Sequence, residues 1–225
     1  MPQILFWRQS IWKKKKWVGL SLVVLALSVL IVGILFRQAV TDVKINLQGM
    51  MAVPGLMGQF EYYKAKEEIY NVLRDSGIEL GDAMEVAKAV IEQSEKTQIP
   101  VTIFLAIMKK ESNFSVDARS PVNAMGIMQI HPITWDAYAK KLNIQGSRKK
   151  AFDPSLNIMV SAAVLSDLLD SYRKQGYREP LLWDYVLSAY YAGASSVRGG
   201  LNANHRQYVK RVRKYVREMS ETIDS

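Results

Sequence analysis

From Trp17 to Phe36 the chain carries twenty consecutive residues without a charge, and beyond them apolar positions recur at helical rather than alternating spacing. The first segment, as a helix, spans roughly 30 Å, the thickness of a bilayer's hydrocarbon core. Residues 37–60 show little periodicity and hold Gly49, Pro54, Gly55 and Gly58, the composition of a tether. A short helix is expected from Phe60 to Leu73, with Tyr63, Ile69 and Leu73 near one side. Asp82 and Glu85 have N-cap and N3 spacing, and Ala83, Val86, Ala87, Val90 and Ile91 form the stripe of a helix behind them. Pro100 suits the first position of another helix, and Val101 to Met108 is apolar almost all round, which places that helix in the middle of a domain. Asp153-Pro154 is a cap followed by a first-turn proline, with Leu156, Met159, Val160, Ala163 and Val164 as the expected buried face. Pro180 precedes a segment ending at Ala192, where Gly193 is a stop signal, and a last helix over about residues 204–219 carries Val209, Val212 and Val216. Alternating strand patterns are scarce. The expected architecture is one all-α domain over residues 77–221, joined by residues 37–76 to a transmembrane helix at 17–36 and a basic N-terminal segment at 1–16.

Charge fixes the expected orientation. Arg8 and the run Lys13 to Lys16 precede the apolar segment, Trp7, Trp12 and Trp17 mark an interfacial belt, and only Arg37 and Lys44 are basic over the next twenty-odd residues. The basic side stays in the cytoplasm, so the helical domain is expected outside the cytoplasmic membrane, in a periplasm or facing a cell wall. A cleavable signal peptide would have a shorter apolar region and small residues at its cleavage site; Leu35, Phe36, Arg37 and Gln38 offer none. Residues 1–36 hold five of the thirty basic residues and no acid, which leaves 25 basic and 21 acidic residues, net +4, in 37–225. The basicity is thus largely topological and gives no support for nucleic acid binding. The absence of cysteine excludes thiolate metal sites and a cysteine nucleophile. His131 and His205 are too isolated for a metal site, so neither metal nor cofactor is expected.

Glu111 is the leading candidate for chemistry. On a helix its neighbours at i−3, i−4 and i−7 are Met108, Ile107 and Phe104, so a carboxylate continues an apolar stripe. Desolvation raises its pKa, and the negative end of the helix dipole acts in the same direction. Lys109 and Lys110 point elsewhere on the helical wheel. A glutamic acid that keeps its proton at neutral pH is what general acid catalysis requires. Taken alone, a glutamate at a helix end is far more often a surface residue.

The residues after Glu111 change that balance. Glu111-Ser112-Asn113-Phe114, Ala118-Arg119-Ser120 and Ala124-Met125-Gly126-Ile127-Met128-Gln129 resemble the signature of the soluble-type (SLT) lytic transglycosylases, which are relatives of goose-type lysozyme in glycoside hydrolase family 23. The resemblance continues through Asp153-Pro154, Asn157-Ile158, Ala189-Tyr190-Tyr191-Ala192-Gly193 and Tyr208-Val209, in order over about 110 residues. It implies a lysozyme-like all-α fold that cuts the β-1,4 bond between N-acetylmuramic acid and N-acetylglucosamine in peptidoglycan, leaving 1,6-anhydromuramic acid ends. It also implies one acid for both proton transfers, with help from the substrate's N-acetyl group. Substrate assistance of that kind accounts for the lack of a second carboxylate; Asp117, in an expected loop, is not expected to be one. By the same resemblance Glu111 is acid and then base, and Ser112, Ser120, Gly126, Met128, Gln129, Tyr190 and Tyr208 bind or border the substrate. Ser120 would serve the acetamido group or the attacking hydroxyl, Gly126 would allow close backbone approach, Met128 and Gln129 would line the groove, and the two tyrosines would reach the acid.

Several positions depart from the family pattern. Asn123 stands where Gly is frequent, Tyr191 replaces the usual Asn, Ser161 and Val164 replace Gly and Tyr, and Asn204-His205 lies where a Glu is common. Tyr191 reads equally well as core packing or as a change in the groove. The run Arg206, Lys210, Arg211, Arg213, Lys214 and Arg217 reads as a solvated face, with attraction to anionic wall polymer or lipid headgroups as a weaker reading. The expected partners are peptidoglycan strands and, through residues 17–36, the cytoplasmic membrane; protein partners in an envelope machine stay open. Two rival readings are a lysozyme-like hydrolase giving reducing ends and a non-catalytic wall-binding module on the same fold.

Overall fold

The computed structural model describes residues 30–35, 37–38 and 56–223. The transmembrane helix expected at 17–36 therefore lies, apart from 30–35, outside the described residues, as do the basic N-terminal segment and most of the tether. Residues 30–35 are helical, with Leu30, Ile31, Val32, Ile34 and Leu35 exposed. Among the described residues no helix is long and apolar enough to cross a membrane.

Residues 56–223 hold seven α-helices: α1 (Leu56–Asp75), α2 (Leu80–Thr97), α3 (Val101–Glu111), α4 (Pro132–Lys141), α5 (Pro154–Lys174), α6 (Leu181–Ala192) and α7 (Ala203–Ile223), with 3-10 turns at Arg148–Phe152 and Ala194–Val197. Two isolated antiparallel bridges, Arg119 with Met125 and Met125 with Ile130, are the sole β pairing among the described residues. The residues from Glu61 onward form one compact unit.

Several starts and stops arise from local chemistry. The Asp153 side chain accepts from the Leu156 N–H at 2.9 Å and Pro154 begins α5, the expected cap and first-turn proline. Gly193, at φ 84°, ends α6 with its N–H on the Ala189 carbonyl. Other boundaries moved. α1 begins four residues earlier than expected; its buried side is Ile69, Val72 and Leu73, while Tyr63 is exposed because six residues carry it well off that face. α2 begins at Leu80, so Asp82 lies in the first turn and caps nothing; Glu85 accepts instead from the Ser155 hydroxyl at 2.8 Å.

The core is assembled around α3, whose residues Ile103 to Met108 are all buried. α3 packs on α7, α2 on α5, and α6 on both α5 and α7. The stripe of α2 is buried as its pattern demands. α5 needed correction: Leu156, Met159 and Ala163 are half-buried, whereas Asn157, Ile158, Ser161, Ala162 and Leu165 are fully buried. The physical reason is that α5 is covered by α2, α4 and α6 and that its two polar residues have hydrogen-bond partners in the interior, which an apolar stripe cannot reveal.

Candidate active site

α3 ends at Glu111, and the chain then turns through an irregular segment that returns to α4. Asn113, Phe114, Asn123, Gly126 and Gln129 all have positive φ in that segment. For asparagine this conformation is familiar, and Asn123, at φ 63°, takes the left-handed geometry that Gly would supply. For Phe114, at φ 69° and 1% exposed, it is strained, and the burial of its ring in the core and its N–H on the Met108 carbonyl hold it there.

Hydrogen bonds converge to fix this segment. The Ser112 hydroxyl donates to the Ile127 carbonyl at 2.7 Å, tying the end of α3 to the returning chain. The Gln129 amide donates to the Ala118 and Gly126 carbonyls at 3.0 and 2.9 Å. Ser120 Oγ accepts from the Ala124 N–H at 3.0 Å, which leaves its hydroxyl hydrogen for donation. Asn157 of α5, fully buried, accepts from the Met128 N–H at 2.8 Å and donates to the Met125 and Ala151 carbonyls at 3.0 and 2.8 Å. Tyr190 of α6 donates to the Met128 carbonyl at 2.9 Å; its single proton being used there, Ser161 is the donor in the 2.8 Å contact between the two hydroxyls.

Two expectations are corrected by this arrangement. Gly126 does allow a close approach, but to the protein itself: a Cβ there would stand 2.4 Å from the Ala151 carbonyl oxygen and 2.6 Å from Asn157 Nδ2. Met128 lines no groove, because its side chain is fully buried and its backbone joins Asn157 to Tyr190. Ser112 and Gln129 likewise direct their donors to backbone carbonyls, so their contribution is to hold the segment in shape.

Around Glu111 the electrostatics are legible. Burial raises its pKa above the usual carboxylate value; the Tyr208 hydroxyl and then the Lys110 ammonium oppose this without reversing it. Lys110 therefore acts on Glu111 as the smallest of the three influences and does not cancel the upward shift, as its place on the helical wheel led one to expect. Tyr208, 3% exposed, comes from α7, and its hydroxyl is buried without completing a hydrogen bond. It faces Glu111 closely enough for each group to influence the other's ionisation. Burial, and then the nearby glutamate, hold the Tyr208 phenol well above its ordinary range. Burial does the same for Tyr190, where Ser161 opposes the shift and Glu111 adds to it. Both phenols are neutral at any relevant pH, so they can offer protons in hydrogen bonds and carry no charge. Asp117 is exposed and accepts from Ser115 Oγ at 2.8 Å, within its own loop.

Residues outside the expected set also matter. Asn157 carried only a motif signal, and nothing in its helical pattern marks it as the hub of the segment. Tyr191 is not core: it is 48% exposed and stacked on Tyr208, ring centroids 4.6 Å apart at 16°. His205 is buried and belongs to a capping arrangement, accepting from the Asn202 N–H at 3.2 Å. The basic run of α7 is divided, with Arg213 bound to Asp184 and Lys214 to Glu218.

Comparison with known proteins agrees with this picture. The family description "Transglycosylase SLT domain" matches residues 88–212. Membrane-bound lytic murein transglycosylase C of Pectobacterium atrosepticum is 39% identical over 112 residues, covering 48% of this chain and 31% of that protein. The protein of the same name from Glaesserella parasuis is 36% identical over 112 residues, covering 48% and 30%. The match thus spans about a third of the length of these relatives. Among solved structures, the 70 kDa soluble lytic transglycosylase of Escherichia coli aligns with a TM-score of 0.53 at 22% identity, over 70% of this chain and 29% of that one. An inactive mutant of lytic transglycosylase Slt from Pseudomonas aeruginosa gives 0.53 at 23% identity, over 61% and 24%. At such identities the likeness is one of fold.

Proposed function

The chain belongs to the transglycosylase SLT domain family, and from that premise we propose that it is a membrane-anchored lytic transglycosylase of peptidoglycan with Glu111 as its catalytic acid and base. The observation that carries this reading is a carboxyl whose pKa is raised by burial at the end of the family-matched core helix, with two neutral phenols beside it. Glu111, protonated, gives its proton to the glycosidic oxygen as the bond from that oxygen to the muramic acid C1 breaks. The N-acetylglucosamine leaves with a free hydroxyl, and the positive charge at C1 is shared by the acetamido group of the same sugar. The C6 hydroxyl then bonds to C1 and returns its proton to Glu111, so the product is the 1,6-anhydro sugar and the acid is regenerated. No water is consumed in this sequence.

Ser120 is proposed to meet the substrate with its hydroxyl hydrogen. Ser112, Gly126, Met128, Gln129 and Tyr190 are proposed to act through the shape of the segment facing Glu111, and Tyr208 through the acid itself. The relatives are named as membrane-bound. The uncharged run at 17–36 and the exposed apolar side chains of 30–35 support anchoring by one membrane helix, with the catalytic domain outside the cytoplasm.

The test is digestion of purified sacculi with the chain and with its Glu111→Gln variant, the released fragments being read by mass spectrometry. Anhydro ends from the first and none from the second are expected. Reducing ends would make the protein a hydrolase, and binding without release would make it a wall-binding module.

A further inference from the structure

Beside Glu111, the residues Lys110, Tyr191, Asn204, Gln207, Tyr208 and Arg211 line a cleft of about 210 Å³. Two of them, Tyr208 and Lys110, also act on the Glu111 carboxyl, so the cleft adjoins the acid. Its lining holds two cations and no carboxylate. Neither cation is in an ion pair among the described residues, although their neighbours on α7, Arg213 and Lys214, are. Lys110 Nζ stands 5.3 Å from the Tyr208 ring centroid, held over an aromatic face. Tyr191 lays one face on Tyr208 and keeps nearly half its surface exposed, at a position where the family resemblance leads one to expect Asn. The buried Tyr208 hydroxyl is turned toward Glu111 at the edge of this cleft.

Two unpaired cations, two amide side chains and an exposed aromatic face define the chemistry that this cleft would accept. A fitting ligand is anionic, planar in its charged group, and attached to something with an apolar ring face. Peptidoglycan offers that combination where a stem peptide, with its carboxylates, is joined to the lactyl group of muramic acid. We propose that the cleft is a subsite for a stem-peptide carboxylate of the glycan substrate, with Arg211 and Lys110 as its charged partners and Tyr191 as the wall against which the adjoining sugar lies. This rests on the peptidoglycan reading above and deepens it: the enzyme distinguishes stem-bearing strands from strands whose stems are uncharged.

The experiment compares kinetics on soluble glycan strands bearing native stem peptides and on the same strands after the carboxylates are capped as primary amides. For the wild-type chain, KM on the capped strands is expected to be roughly fivefold higher, the scale of a partly exposed ion pair, with kcat little changed. In Arg211→Gln the ratio between the two substrates should fall to about one, because the charge that reads the carboxylate is gone. Lys214→Gln, which removes a neighbouring cation paired with Glu218, should keep the fivefold ratio. Raising the salt should shrink the wild-type ratio. A ratio that is the same in wild type and Arg211→Gln overturns the subsite while leaving the transglycosylase reading intact. Absence of anhydro ends from either substrate with the wild-type chain overturns the reading on which the subsite rests.

Discussion

Asn157 is the position at which stability and the shape of the site should fail together. Its side chain makes three hydrogen bonds from a fully buried position, one as acceptor from the Met128 N–H and two as donor to Met125 and Ala151 carbonyls. In Asn157→Ala the Met125 carbonyl keeps its bond from the Ile130 N–H at 3.0 Å, so it is not orphaned. The Met128 N–H and the Ala151 carbonyl lose the partners that Asn157 supplied. At 1–3 kcal/mol for each buried group left unsatisfied, with a small addition for the space vacated, the loss should be about 4 kcal/mol. Asn157→Asp separates the acceptor from the donors. A carboxyl can still accept from Met128, but it faces two carbonyl oxygens and can donate to one of them only while protonated. Its folded pKa is then raised above the unfolded value near 4, so its contribution is fully present below about pH 4 and is lost as pH rises through the folded pKa. Urea unfolding of the purified chain at pH 5 and pH 8 measures both effects. A loss below about 1 kcal/mol for Asn157→Ala, or an Asn157→Asp protein that gains stability relative to wild type with rising pH, would refute this account of the segment.

Glu111→Gln should abolish anhydro-product formation and at the same time stabilise the fold at higher pH. The raised pKa means that the wild-type chain loses stability as pH rises through it, whereas Gln has no proton to lose, so the difference in Tm should grow from pH 5 to pH 8 in thermal melts. Tyr208→Phe should change stability by less than about 1 kcal/mol, since the hydroxyl it removes has no completed hydrogen bond, and should move the alkaline limb of kcat/KM to higher pH, because the phenol is the largest influence lowering the Glu111 pKa; a limb that moves down contradicts the assigned role. Gly126→Ala should cost about 3 kcal/mol in chemical denaturation, since its Cβ collides with the Ala151 backbone carbonyl and its φ is 75°.

The helices α2, α3, α5, α6 and α7 were legible because each carries its own signal, whereas α4 (Pro132–Lys141) was not anticipated. The apolar girdle of Val101 to Met108, the cap of Asp153 with Pro154, and the stop at Gly193 are local features, and burial rewards them wherever the chain folds back. The raised pKa of Glu111 was legible for the same reason, since its position on the stripe of α3 is a property of eleven consecutive residues. The faces of α1 and α5 were less so. Exposure of Tyr63 and burial of Asn157 and Ser161 depend on which helices cover those surfaces, and a polar residue enters a core only where distant groups satisfy it.

The segment between α3 and α4 shows the division most clearly. Its motif residues stand out in the sequence, but their tasks do not: Met128 reads as a groove residue and is a buried joint, Gly126 reads as room for a ligand and is room for Ala151 and Asn157. Tyr191 reads equally as core or groove and stands exposed on Tyr208, seventeen residues away in sequence on another helix. The sequence by itself determined the helical class, the uncharged N-terminal run and the position of the acid, because periodicity, charge and capping act within a few residues. Only the tertiary structure decided which groups flank that acid and which polar atoms are satisfied, because those partners lie on α5, α6 and α7 and meet it through packing alone.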